Sequence, residues 1–264
     1  MEVQLGGVPE TLLITVRARA EETLRPDSLL QDTYAVGILK KLNLNFSGKK
    51  SKVEPSSQIG VVIRTIVLDQ VVADFLQRKP DGIVVNLGCG LDARYERLKF
   101  PNRWYDIDLE EAIEIRKTYF SESDKYRMIA KSMLDYSWMN EIPKDKPVLI
   151  VTEGVVMYFA EEDLQPLVHE IFNVFPDVEM VFDTIAPFLA KRTNLHTEVK
   201  KYNAQFKWGL GDSKDLMKWN EHICILNEKF YFDHFRRRWP LGMRIMMLVP
   251  GSRKWNKIVH FGKR

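Results

Sequence analysis

Ile83-Val84-Val85 is a short apolar run that ends in Asn86-Leu87-Gly88-Cys89-Gly90, a strand breaking into a glycine turn. Such a turn at a strand's carboxyl end lets backbone approach a ligand closely, and the helix that follows offers unpaired N–H groups. Ala93 completes Gly-x-Gly-x-x-Ala, the relaxed dinucleotide fingerprint. Alone, the motif does not say which nucleotide-like group binds, and a purely structural tight turn is its alternative. Asp108 stands 20 residues beyond Gly88, at the end of the next run, Trp104–Asp108. A carboxylate there accepts hydrogen bonds from both hydroxyls of an adenosine ribose. Capping the helix that begins at Leu109 is its other reading. Asp106 shares its strand face and competes for the ribose, Asp108 lying nearer the strand's end.

The alternation continues along the chain. Arg127–Ala130 reads as a weak third strand, Val148–Thr152 as a stronger fourth and Val178–Thr184 as a fifth, with helices at Leu109–Phe120 and Glu161–Phe175. Pro166 is expected in the first turns of the latter, or bending it. Two late strand candidates, Ile223–Phe232 and Trp255–Phe261, suit an antiparallel pair at one edge of an otherwise parallel, doubly wound α/β sheet. In front of the sheet, Thr11–Leu24 reads as a helix stopped by Arg25-Pro26-Asp27. A long helix follows, with Ser56 and Ser57 as N-cap candidates and Ile59, Val62, Ile63, Ile66, Val67 and Val71 at helical spacing. Between them Ser47-Gly48-Lys49-Lys50-Ser51-Lys52 reads as a solvated loop, or as a flap near a site. Residues 1–80 are therefore expected to form a helical cap and residues 81–264 the core.

Several classes of function are excluded. Lys and Arg number 39 against 36 Asp and Glu, and a net charge of +3 is too weak to argue for nucleic acid. Two cysteines, Cys89 and Cys224, provide no disulfide framework and no zinc site. The five histidines form no close metal-ligand pair, and no Gly-x-Ser-x-Gly elbow occurs, so no metal is expected. The longest apolar runs fall far short of the ~18 residues that span a bilayer. Met1-Glu2-Val3-Gln4 lacks the basic and apolar segments of a signal peptide, and a reducing, cytoplasmic location is expected.

Four further positions carry chemistry. Glu153 ends the fourth strand, pointing toward the crevice where open α/β sheets bind ligands; it needs a cation there, and a structural ion pair meets that need equally well. Arg64 interrupts the apolar face of the long helix, on the side of Gly60 and Leu68. Cys89 fits under a bound group better than it serves as a nucleophile. Arg236-Arg237-Arg238 reads as a surface cluster, with phosphate binding as the alternative.

These positions, taken in order, resemble the leucine carboxyl methyltransferase family, in its bacterial and archaeal branch of polyketide-type O-methyltransferases. The matching stretches are Arg19-Ala20, Arg25-Pro26-Asp27 and Asp32-Thr33-Tyr34-Ala35, then Val85 through Arg94, Tyr105 through Leu109, and Thr152 through Tyr158. The resemblance implies an S-adenosylmethionine-dependent enzyme with a Rossmann-like class I methyltransferase fold, a mostly parallel seven-stranded sheet and an N-terminal helical cap. Arg64 then matches the arginine that binds the methionine carboxylate, Gly88 and Gly90 the first-strand turn, Asp108 the ribose acid, and Glu153 the acid after the fourth strand. Arg19, with Arg17 as alternative, matches the early basic residue that approaches the cofactor. Ser132-Met133 stands where the family carries an acidic-Leu pair near the adenine, so the match there is partial. Tyr158 is the substrate-side candidate.

The partner expected is a small-molecule carboxylate or phenol, with neither nucleic acid nor membrane. The phosphatase-methylating branch continues its acidic-Leu pair with an arginine, whereas Leu134 stands here. Methylation of a protein's C-terminal carboxyl is one alternative. A nicotinamide-dependent oxidoreductase is another, but it leaves Arg64 and Glu153 without roles. A non-catalytic scaffold is the third.

Overall fold

The computed structural model describes residues 11–42, 53–191 and 205–264; the polar patch at 47–52 and His196 lie outside them. Three helices come first: α1 (Thr11–Thr23), α2 (Thr33–Lys41) and α3 (Pro55–Arg78). The alternating part follows as β1 (Ile83–Leu87), α4 (Arg94–Leu98), β2 (Trp104–Asp108), α5 (Glu110–Lys117), β3 (Tyr126–Ala130), β4 (Val148–Thr152), α6 (Glu161–Val174), β5 (Val178–Ile185), α7 (Pro187–Ala190), β6 (Ile223–Phe230), α8 (Leu241–Met246) and β7 (Asn256–Lys263). The seven strands lie in the order β3-β2-β1-β4-β5-β7-β6. All neighbours are parallel except β7, which runs antiparallel to β5 on one side and β6 on the other. The late strands thus form the expected antiparallel edge, with the last strand inserted inside it. β1 pairs with β2 and β4, so the strand order reverses between β1 and β4, and a crevice opens there at the carboxyl ends.

Strand alternation sends side chains to two apolar layers. Val84, Leu149 and Val181 meet α1, α2 and α3 on one face, in a cluster that runs from Val16 to Ile258. Val85, Ile150 and Phe182 meet α6 on the other. Burial on both faces explains why these strands read as unbroken apolar runs.

Local departures from expectation have local causes. Glu54, not Ser56 or Ser57, caps α3: its carboxylate accepts the Ser57 N–H at 2.9 Å, and Pro55 occupies the first turn, where a missing N–H costs nothing. Helix α2 was not expected from nine residues containing Gly37. It is capped by Asp32, which accepts the Ala35 N–H at 2.8 Å, and it buries Ala35, Val36, Ile38 and Leu39. Pro166 sits inside α6 without ending it.

Candidate active site

A cavity of about 390 Å³ opens at the reversal point, with the α1 residues Leu12, Thr15 and Arg19 contributing one wall. Of the residues singled out in the sequence, Arg19, Arg64, Gly88, Asp108, Ser132, Met133, Glu153 and Tyr158 all line it. Gly90 does not, and its part is structural. Gly88 adopts φ +68°, and a Cβ there would stand 2.5 Å from Val155 Cγ2. Glycine is therefore required at the floor of the cavity. Gly90, at φ +46°, lies against Leu12; its carbonyl accepts from Arg116 at 2.8 Å and its N–H donates to Asp108 Oδ2 at 2.7 Å.

The two acids of β2 have separate duties. Asp106 is fully buried, accepting from Trp104 Nε1 at 2.8 Å and the Tyr126 hydroxyl at 2.6 Å, and pairing with Arg116. It holds the fold together below the turn. Asp108 faces the cavity and accepts the Gly90 and Leu109 N–H groups, the latter at 2.8 Å. Leu109 is the N-cap of α5 and no side chain caps that helix, so the capping reading of Asp108 falls away, while its carboxylate keeps lone pairs beyond the two engaged. Burial raises its pKa above the usual carboxylate value, against the pull of those two N–H groups. Ser132 and Met133 reach the cavity from beyond β3.

Beside this apolar floor lies a continuous ionic network. Arg64 Nε donates to Glu153 Oε1 at 3.0 Å and its Nη1 to Asp183 at 3.3 Å. Glu153 also accepts from the Thr65 hydroxyl at 2.9 Å and from Arg94. Arg94 continues to Asp69 and Asp92 at 2.7 and 2.6 Å, Arg97 joins Asp69 to Asp32, and Asp32 meets Arg19 at 2.9 Å. None of these side chains is more than 13% exposed. Burial alone would raise the Glu153 carboxyl, but Arg64 and Arg94 outweigh it and hold the acid below its usual value. The network sets Arg19, Arg64, Arg94 and Arg97 against Asp32, Asp69, Asp92, Glu153 and Asp183, one carboxylate in excess. A wall with surplus negative charge suits a cationic ligand. Gly154, at φ +71°, makes room for Arg64, whose Nη2 would stand 2.6 Å from an added Cβ.

The leucine carboxyl methyltransferase family model matches residues 12–172, more than half of the sequence and all of the cavity wall contributed by β1, β2 and β4. The chain belongs to that family. Among its curated relatives is the tetracenomycin polyketide synthesis O-methyltransferase TcmP of Streptomyces glaucescens, 30% identical over 239 residues and 88% of each protein. Another is the S-adenosyl-L-methionine-dependent methyltransferase dpfgK of Gibberella zeae, 29% identical over 255 residues, 86% of this chain and 85% of the relative. A crystal structure of a DUF574 family protein from Streptomyces avermitilis superposes with a TM-score of 0.62 at 10% identity, over 95% of this chain and 97% of the other. The sheet is that of the class I methyltransferases. As a family member the chain is an S-adenosylmethionine-dependent methyltransferase, and the nicotinamide reading is set aside. The cavity fits that cofactor in two ways: Gly88 leaves the space a Cβ would fill, and the surplus carboxylate of the network answers a sulfonium.

The remaining candidates find their places in the structure, and Lys207 emerges only from it. Tyr158 follows β4 on a short 3₁₀ turn and packs against Phe206, ring centroids 5.2 Å apart. Lys207 joins the same end of the cavity, its N–H held at 2.7 Å by the Met157 carbonyl; no chain-wide periodicity flags it. Cys89 borders the cavity, and desolvation pushes its thiol well above the ordinary value, which disfavours the thiolate. Arg236, Arg237 and Arg238 do not line the cavity, and Arg238 is paired with Glu22 at 2.7 Å. Among the described residues no group of His, Cys, Asp and Glu could hold a metal ion.

Proposed function

We propose that this chain transfers a methyl group from S-adenosylmethionine to an oxygen of a small-molecule carboxylate or phenol, in a reducing, cytoplasmic setting. One observation carries the reading: the cavity brings Asp108, at the end of β2, together with Arg64, Glu153 and Tyr158 beneath α1. Bound cofactor supplies an electrophilic methyl, so the protein's task is to hold and orient.

In this reading Asp108 accepts the ribose hydroxyls, while Ser132 and Met133 border the adenine. Arg64 offers its guanidinium to the methionine carboxylate, oriented by Glu153 and Asp183. Glu153 fixes Arg64 and Arg94 and lends its charge to the ammonium side. Arg19 closes the wall, with its Nη2 held on the Leu91 carbonyl at 3.0 Å. Tyr158 touches the acceptor and excludes water, and a carboxylate acceptor arrives ionised and needs no base. Lys207, a cation at that end of the cavity, favours an anionic acceptor over a neutral one.

The same end supports a small acceptor over a protein tail. Tyr158, Phe159 and Lys207 line it, and Leu134, itself outside the cavity lining, stands where the phosphatase-methylating branch carries an arginine, a bidentate partner for a peptide carboxylate. Methyl-labelled S-adenosylmethionine offered with a size-fractionated cell extract tests this. Label is expected in the small-molecule fraction; label mainly on protein, as a base-labile C-terminal ester, overturns the proposal.

A further inference from the structure

Outside the cavity lining, residues 235–254 carry six basic side chains and no acid: Arg236, Arg237, Arg238, Arg244, Arg253 and Lys254. Two are committed, Arg238 to Glu22 and Arg253 to Asp233. Arg236, Arg237, Arg244 and Lys254 hold no ion pair among the described residues. Between them α8 runs on through bonded turns, Met247 N–H to the Met243 carbonyl and Leu248 N–H to the Ile245 carbonyl. Met243 and Met247 pack inward against the core. Leu241, Ile245 and Leu248, at i, i+4 and i+7, face outward with 69%, 57% and 78% exposure, and Val249 adds 42%. Large aliphatic side chains this open, beside unpaired cations, are costly in water without a partner.

We propose that this face docks onto an anionic lipid surface, the apolar tip entering the acyl boundary while the arginines meet headgroup phosphates. The pattern of an aliphatic ridge between uncommitted cations is that of an interfacial segment. A second copy of the chain fits worse, because it brings like charges face to face. A nucleic acid fits worse too, since the tip offers aliphatic groups where bases need stacking platforms. This departs from the expectation that the chain has no membrane partner; no described helix is long and apolar enough to cross a bilayer. Docking on a surface needs no such helix, and it stands independently of the methyl-transfer reading.

Co-sedimentation with phosphatidylcholine vesicles, with and without phosphatidylglycerol, tests the proposal. Binding is expected only with phosphatidylglycerol, weakening as salt rises. Arg236→Gln with Arg237→Gln should weaken it roughly 25-fold, from about fivefold per cation at an anionic surface. The exposed triple variant Leu241→Gln, Ile245→Gln, Leu248→Gln should lose about tenfold or more, with both variants still binding S-adenosylhomocysteine as wild type does, which reports that they are folded. The proposal is overturned by vesicle binding that ignores phosphatidylglycerol or survives both variants. It is equally overturned by a dimer in light scattering whose dissociation is the triple variant's only effect.

Discussion

Replacing Asp108 with alanine separates binding from folding in a way the geometry makes quantitative. The carboxylate now accepts two backbone N–H groups, from Gly90 at 2.7 Å and Leu109 at 2.8 Å. The residue borders an open cavity, so water replaces both acceptors, and the stability cost should stay near ~1–2 kcal/mol, the sum of two ordinary hydrogen bonds. That is roughly a 2–8 °C fall in Tm for a domain of this size. The ligand loses more. Hydrogen bonds from two ribose hydroxyls to a charged acceptor should be worth ~3 kcal/mol together, or about 150-fold in Kd. Isothermal titration with S-adenosylhomocysteine measures the second quantity and thermal unfolding the first. Asp106→Asn is the control with the opposite profile. It removes the buried charge that Arg116 pairs with and one of the two oxygens that accept from Trp104 and Tyr126, so it should unfold the protein at lower temperature while any folded fraction keeps near wild-type affinity. Unchanged affinity in a folded Asp108→Ala protein would refute the assignment of the ribose to this acid.

Gly154→Ala should cost ~1–2 kcal/mol of stability from its left-handed backbone alone, and the displaced Arg64 should weaken S-adenosylmethionine at least about tenfold while adenosine is far less affected; parallel titrations of the two ligands check it. Burial raises Glu179, but His260 and Arg78 outweigh it and bring its pKa down to about 2. A depressed carboxylate stabilises the fold fully above its unfolded value near 4.5 and loses that contribution as pH falls toward 2. Acid denaturation should therefore show a limb of ~2 kcal/mol in that window, discounted because Arg78 is half exposed, and Glu179→Gln should flatten it. Finally, a chain comprising residues 81–264 alone should be insoluble or unfolded by circular dichroism, because α3 buries Ile59, Val62, Ile63, Leu68 and Phe75 in the cluster shared with β1, β4 and β5.

How much of this was legible depended on distance along the chain. Gly88 and Asp108 could be read because a parallel βαβ unit fixes both the glycine turn and the next strand's end within a few turns of chain. Asp106 and Asp108 could not be separated, since residues two apart share a strand face; Arg116, from α5, decides between them. The ionic network stayed hidden although Asp92 and Arg94 lie inside the motif itself. Its partners are far apart, Arg94 and Glu153 by 59 positions and Arg64 and Asp183 by 119, and only the fold brings them together. Helix α2 escaped because tertiary burial of four small and aliphatic residues, rather than propensity, holds it. The outward face of α8 was missed for a different reason: a segment between two strand candidates was read for its charge and not for its period.

The position of β7 has a consequence for how the chain is made. It leaves the ribosome after the other six strands, yet it sits between β5 and β6 and pairs with both. Until residues 256–263 emerge, β5 presents an unpaired edge whose eight residues, Val178–Ile185, are all buried in the finished fold. Such an edge is a template for pairing with another nascent chain. Yield in the cell should therefore depend less on final stability than on how quickly translation passes from Ile185 to residues 256–263. Slow codons between residues 186 and 255 should lower soluble recovery of an otherwise identical protein.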